Sequence, residues 1–421
     1  MNNLKSVSVQ IVNSDLALLL PNGVYEIKQM ESKSSRLKQI CLFCLALCIF
    51  GIFGFGYFCP DKVCALSSRE TIYIEDNIGK PLAQTKTKVG LSYDDMLNDD
   101  FTFDMDSHDV MVFLHMQKTG GTSFGKHLVH DLDLRRPCTC PISRKRCHCF
   151  RPHSNQSWLF SRYTTGWKCG LHADWTELTS CVDAKLDDLE TVAKRRYFYI
   201  TLLREPVSRY LSEFRHVQRG ATWKGSRHFC GGRLATDREI PPCYEGEDWE
   251  GVNLDDFIGC KSNLAANRQT RMLADLELVG CYNKSYMSKG ERERIMLASA
   301  KKNLLSMAFF GLTEYQKISQ YIFEETFNLR FAIPFEQNNS TVSSNTLNSL
   351  TTKQSEDIAS LNNLDIELYD YAKKILFQRF EKVKSRDADF EERFKNLGVI
   401  YGKQSPTEFD WDKLEDPTES P

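Results

Sequence analysis

DVMVFLHMQKTGGTSFGKHL, residues 109–128, is the stretch on which the reading of this chain turns. Residues 109–116 are a short, β-rich apolar run, the pattern of a strand buried on both faces of a parallel sheet. The run breaks at Gly120 and Gly121, and after Thr122 the pattern is helical. Glycines let the backbone come close to a ligand, and Thr122 or Ser123 can cap the helix. The exposed amides of a helix start, with the helix dipole, attract an anion. Lys118 adds a mobile positive charge. The GxxxxGK[ST] spacing of nucleoside-triphosphate loops is absent. Taken alone, a plain Gly-Gly turn between strand and helix stays open.

The same grammar recurs further along. RYFYITLL (196–203) and MAFFGL (307–312) are two more short apolar runs, followed by helical patterns after Pro206 and from Thr313 through Phe327. Repeated strand–turn–helix units predict an α/β fold: a central parallel sheet flanked by helices, with a P-loop-like phosphate-binding loop. In REPVSRYLSEFRH, Arg204 falls at the tip of the second strand, while Ser208, Ser212 and His216 share one helix face at i, i+4 and i+8. Ligands bind at the carboxyl ends of parallel strands, which would bring Arg204 and Ser212 beside the first loop. Two anion sites suit a nucleotide with phosphates at both ends. Arg204 as an ordinary helix-start ion-pair residue is the alternative.

Composition sets the surroundings. A net charge of -2 over 421 residues means that a polyanionic partner must be met by a local basic patch. The 15 cysteines suit disulfides in an oxidising compartment. ICLFCLALCIFGIFGFGYF, residues 40–58, carries no charge over about 19 residues, enough to span a bilayer as a helix. Lys28, Lys33, Arg36 and Lys38 precede it, so the positive-inside rule orients residues 1–39 to the cytoplasm. The expected plan is a cytoplasmic tail (1–39), a signal anchor (40–58), a stem (59–108), a catalytic domain (109–345), a helical extension (346–402) and a disordered tail (403–421). Sequons at Asn155, Asn283 and the Asn338/Asn339 run agree with a secretory location.

QKTGGTS closing one strand and LLREPVSRYLSEF closing another resemble the 5′-phosphosulfate and 3′-phosphate motifs of sulfotransferases that use 3′-phosphoadenylyl sulfate (PAPS). More closely, residues from about 109 to 338 resemble the heparan sulfate 6-O-sulfotransferases. The matching stretches are FLHMQKTGGTSFGKHLV, WLFSRYTTGWKCGLHADWTEL, YITLLREPVSRYLSEFRHVQRGATWK, PPCYEGEDW, NRQTRMLADLELVGCYN and FFGLTEYQ. The resemblance implies PAPS as donor, a sugar 6-hydroxyl of heparan sulfate as acceptor, and a single-pass type II protein of the Golgi membrane. Neither a metal nor nucleic acid is an expected partner.

It also implies residue roles. His115, Met116, Gln117, Lys118, Thr119, Gly120, Gly121, Thr122 and Ser123 would hold the 5′ side of the donor, and Arg204 and Ser212 the 3′-phosphate. Glu336, Gln337 and Asn338 would close over the nucleotide. The family's basic residue near Val342 is absent here, which limits Val342 and Ser343 to backbone contacts. His172 would be the general base, since an imidazole titrates near neutral pH; His115 is the competing candidate, read as lining the donor site. Lys118 would serve the leaving group. Lys145, Arg146, Arg162, Trp167, His216 and Trp223 would contact the acceptor.

The run from Arg135 to Arg151 contains basic residues and no carboxylate, which reads as a track for an acidic glycan. Its Cys138-Thr-Cys140 and Cys147-His-Cys149 pairs have tighter spacing than zinc sites usually show, so disulfides are expected, and bridging the six residues between Cys140 and Cys147 would fix a hairpin. Other readings stay open: sulfation at another position or on another glycosaminoglycan, a nucleotide kinase, or a membrane-anchored heparan-binding protein without activity.

Overall fold

The computed structural model describes residues 9–12, 15–20, 23–25, 102–141, 146–222, 224–335, 347 and 349–399. Residues 1–82 form a separate unit, in which β1 (Val9–Val12), β2 (Asp15–Leu20) and β3 (Gly23–Tyr25) pair as an antiparallel sheet.

In the larger unit a four-stranded parallel sheet runs in the order β5 (Leu159–Phe160), β4 (Asp109–Leu114), β6 (Arg196–Leu203), β9 (Phe309–Leu312). The three long apolar runs therefore became strands. The two-residue β5 was too short to leave a periodic signal. Every residue of β4 is buried, as a strand covered on both faces requires.

Register and alternation place the helices. Val112 pairs with Tyr199, so the two share a face, and Tyr199 meets Trp175 of α2 (Trp175–Asp187) at a ring distance of 5.0 Å. Phe113 points the other way and meets Phe124 of α1 (Gly121–His130) at 5.2 Å. On that second face Phe124 and Phe309 also contact Phe323 of α7 (Gln316–Phe327). Between the second and third long strands lie α3 (Pro206–Gln218), the short ribbon β7–β8 (Phe229–Cys230, Arg233–Leu234), α4 (Leu254–Gly259), α5 (Arg268–Leu273) and α6 (Lys289–Leu305).

The chain continues as α8 (Thr352–Leu361), α9 (Asn363–Lys384) and α10 (Phe390–Lys395). Leu368, Ala372 and Leu376 of α9 belong to the same apolar cluster as the sheet. A smaller cluster joins Tyr210, Leu211 and Phe214 of α3 to Phe257 and Ile358.

The expected membrane helix needs correction. Among the described residues no helix is long and apolar enough to cross a membrane. Even the 22-residue α9 carries Asp365, Glu367, Asp370 and Lys373 within its first half, a charge load that hydrocarbon does not accept. Residues 40–58 lie outside the described residues, as does the tail from 400. The described residues thus form an α/β fold in which no helix crosses a membrane. Single-helix anchoring, type II topology and the Golgi-membrane localisation resting on them are not carried into the functional reading.

Candidate active site

The site is built where the parallel strands end. After Leu114 the chain turns through His115–Gly120 with Lys118 at φ 66° and Gly120 at φ 80°. A lysine in the left-handed region is strained, and such strain persists only where neighbours fix it. Three ties do so. Thr201 donates its hydroxyl to Leu114 O at 2.8 Å, and Thr313 lies within hydrogen-bond distance of both Thr119 O (2.7 Å) and Leu203 O (2.9 Å). Arg204 donates from Nη1 to Lys118 O at 3.2 Å. The second and third strands thereby hold the loop that follows the first.

The first turn of α1 has Gly120 as its N-cap and no side-chain cap, so the amides that start it are not spent on a capping side chain. Gly121 is required by space: a Cβ there would lie 2.3 Å from Cδ2 of His115. Gln117 is buried, and its Oε1 has no hydrogen-bond partner among the described residues. A left-handed loop, a glycine pressed against an imidazole and a helix start without a side-chain cap together fit a loop that wraps a phosphate-bearing ligand.

The start of α3 is different. Glu205 accepts from the N–H groups of Val207 (3.0 Å) and Ser208 (2.7 Å), so this helix caps itself with a carboxylate. An anion here must be held by side chains, namely Arg204 and the half-buried face of Ser208, Ser212 and His216. Burial presses the Arg204 pKa downward, so a partner anion would relieve a desolvated guanidinium.

The two histidines separate clearly. His115 is 5% exposed, and its pKa lies well below the ordinary value because of burial, then of the charges of His172, Arg162 and Lys118. It is therefore neutral at physiological pH. Arg162, which can only donate, faces its Nδ1 at 3.5 Å, which puts the proton of His115 on Nε2. His172 stacks on it, ring centroids 4.8 Å apart, and its Nδ1 lies 3.3 Å from the carbonyl oxygen of His115. A carbonyl only accepts, so His172 carries its proton on Nδ1 and its basic lone pair on Nε2.

The His172 loop is tied down on both sides. Cys169–Cys181 bridges it, and Asp174 begins α2 with a reciprocal capping box to Glu177. A cleft beside it is lined by His115, Arg162, Gly166, Leu171 and Ala173. At its edge Trp167 is 36% exposed, and the Arg146 guanidinium lies 3.2 Å over its ring.

Three arginines of the basic run are engaged with the chain itself. Arg151 is 3% exposed and donates to the carbonyls of Met105, Asp109 and Ser157. Arg136 holds the carbonyls of Arg151 and Ser154, and Arg135 pairs with Asp106. A sequence count of positive charge could not reveal that these groups turn toward the chain's own carbonyls. Disulfides Cys140–Cys147 and Cys138–Cys149 clamp the hairpin, so these cysteines are not metal ligands. Of the other expected contacts, Lys145, Trp223, Glu336, Gln337, Asn338, Val342 and Ser343 lie outside the described residues. Sequence reasoning missed Thr313 and Gln269, whose roles are visible only as long-range hydrogen bonds.

Residues 101–372 match the model of the sulfotransferase family. The chain is 58% identical over 283 residues to heparan-sulfate 6-O-sulfotransferase 1 of Homo sapiens, covering 66% of this chain and 68% of the relative. This chain belongs to the heparan-sulfate 6-O-sulfotransferase family. It is 56% identical over 296 residues to the family's 3-B form in Danio rerio, covering 70% of each chain. With heparan-sulfate 6-O-sulfotransferase 2 of Gallus gallus the match extends to 85% of this chain and 90% of the relative, at 47% identity. As a heparan-sulfate 6-O-sulfotransferase family member it is an enzyme of the sulfotransferase class, and membership implies PAPS as its sulfate donor.

Proposed function

We propose that this chain transfers the sulfuryl group of PAPS to the 6-hydroxyl of glucosamine units in heparan sulfate, with His172 as general base. The observation that carries the assignment of the base is the hydrogen bond of His172 Nδ1 to the His115 carbonyl, which leaves the ring's lone pair on the buried Nε2. As the acceptor hydroxyl attacks sulfur, His172 Nε2 takes its proton while the bond from sulfur to the bridging phosphate oxygen breaks. Lys118 and the first amides of α1 stabilise the charge left on that oxygen. Arg204 and Ser212 hold the 3′-phosphate and so fix the donor in line. Arg162 and the Arg146–Trp167 stack stand beside the cleft, suited to sulfate or carboxylate groups and to a sugar face.

The catalytic domain is read as residues 109–345, with 346–402 as a helical extension. Incubation with radiolabelled PAPS and a panel of glycosaminoglycans, followed by disaccharide analysis, tests donor, acceptor and position together. His172→Ala should lower kcat by about 10²–10⁴-fold while leaving affinity for adenosine 3′,5′-bisphosphate unchanged. Near-full turnover by folded His172→Ala would remove the base from the scheme; label on a hydroxyl other than the 6-hydroxyl would remove the position.

A further inference from the structure

Helix α9 reaches the donor side of the site through two hydrogen-bonded arms. In the first, the buried Asp365 carboxylate accepts from the main-chain N–H of Gln269 (3.0 Å) and of Thr270 (2.7 Å). Gln269, itself fully buried, then clips one residue on both sides. Its Oε1 accepts from Arg204 N–H at 2.9 Å, and its Nε2 donates to Arg204 O at 2.9 Å. In the second arm Tyr369, one helical turn beyond Asp365, donates its hydroxyl to Glu314 at 2.6 Å. The other carboxylate oxygen of Glu314 accepts from Glu205 N–H at 3.0 Å.

Both arms end on consecutive residues, Arg204 and Glu205, where β6 hands over to α3. Arg204 is the residue whose guanidinium bonds the carbonyl of Lys118 in the first loop. We propose that Gln269, with Asp365 behind it, and Glu314, with Tyr369 behind it, are positioning residues that aim Arg204 at the donor's 3′-phosphate. Helix α9 is thereby a working part of nucleotide selection. This rests on the reading of Arg204 as the 3′-phosphate ligand. Holding the main chain at three hydrogen bonds leaves the guanidinium only its side-chain torsions, so less freedom is lost when the phosphate binds. Mere packing of buried polar groups would affect the stability of the fold without distinguishing one nucleotide from another.

The test compares adenosine 3′,5′-bisphosphate with adenosine 5′-phosphate by calorimetry on the full chain and its Tyr369→Phe and Gln269→Leu variants. Tyr369→Phe removes one oxygen and keeps the ring, so it reports even if Gln269→Leu does not fold. Affinity for the bisphosphate should fall about five-fold in Tyr369→Phe and about ten-fold or more in Gln269→Leu. Affinity for the 5′-phosphate and the KM for heparan sulfate should hold, while the KM for PAPS rises. Equal losses for both nucleotides, or unchanged discrimination in folded Tyr369→Phe, overturn the positioning role. Arg204→Ala separates the two readings: if it binds the bisphosphate as the unmodified chain does, the assignment of Arg204 itself is wrong and the positioning role falls with it.

Discussion

His115 and His172 stack as a pair but are held for different work. Burial and neighbouring positive charge keep His115 neutral, while the carbonyl of the same residue fixes the tautomer of His172. The arrangement depends on Gly121, because a methyl group there would occupy the space of the His115 ring. Gly121→Ala should displace His115 and, with it, the carbonyl that orients His172. We expect kcat to fall by about 10²-fold or more, as misplacement of a catalytic group by an ångström does, with a modest loss of thermal stability. Single-turnover kinetics beside a melting curve separate this outcome from unfolding. Gly120 answers to a different constraint. It needs the left-handed backbone at φ 80°, where any other residue would be strained.

At the scale of elements, α1 and α3 take equivalent places after parallel strands and start differently. Each follows a parallel strand, but α1 has no side-chain cap and α3 is closed by Glu205. The first can therefore offer amides to an anion, and the second must use Arg204. Helix α3 is in turn anchored by Glu213, which is 1% exposed and takes hydrogen bonds from both Arg209 and Arg268. Burial opposes its charge, but the two guanidinium groups outweigh it and hold the carboxyl down at about 2. Glu213→Gln would leave two buried arginines short of their counter-charge. Such a loss costs about 3–5 kcal/mol, so denaturant melts should show a large drop in midpoint at pH 7.

Across the whole molecule, the start of α2 holds two buried carboxyl groups side by side. Burial raises Asp174 to about 6, and burial together with the Asp174 charge raises Glu177 to about 8. Both groups keep a proton in the folded chain that the unfolded chain has already released. Their contribution is therefore favourable at low pH and is lost as pH rises through 6 and then 8. Stability should therefore fall as pH rises above the ordinary carboxylate range, read as a declining melting temperature. Glu177→Gln, which cannot titrate, should flatten that slope; an equally steep slope in the variant would place its origin elsewhere. Among the described residues five disulfides, including Cys230–Cys281 and Cys243–Cys260, tie loops to one another.

Local chemistry determined much of this protein from sequence alone. Continuous apolar runs, the Gly120-Gly121 turn and helix starts are written within a few residues, so the long strands, the turn after the first of them and the place of Arg204 at a strand end were legible in order. The CxC pairs announced disulfides for the same reason. What only the tertiary structure decided depends on groups brought together across long separations. The tautomer of His172 is set by a carbonyl 57 residues away, and the hold on Arg204 by Gln269, 65 residues away. The hairpin arginines look like a free cationic track until the fold supplies backbone carbonyls for Arg136 and Arg151 and a carboxylate for Arg135. A charged side chain declares its type in the sequence, but its partner exists only once the sheet register and helix packing have closed.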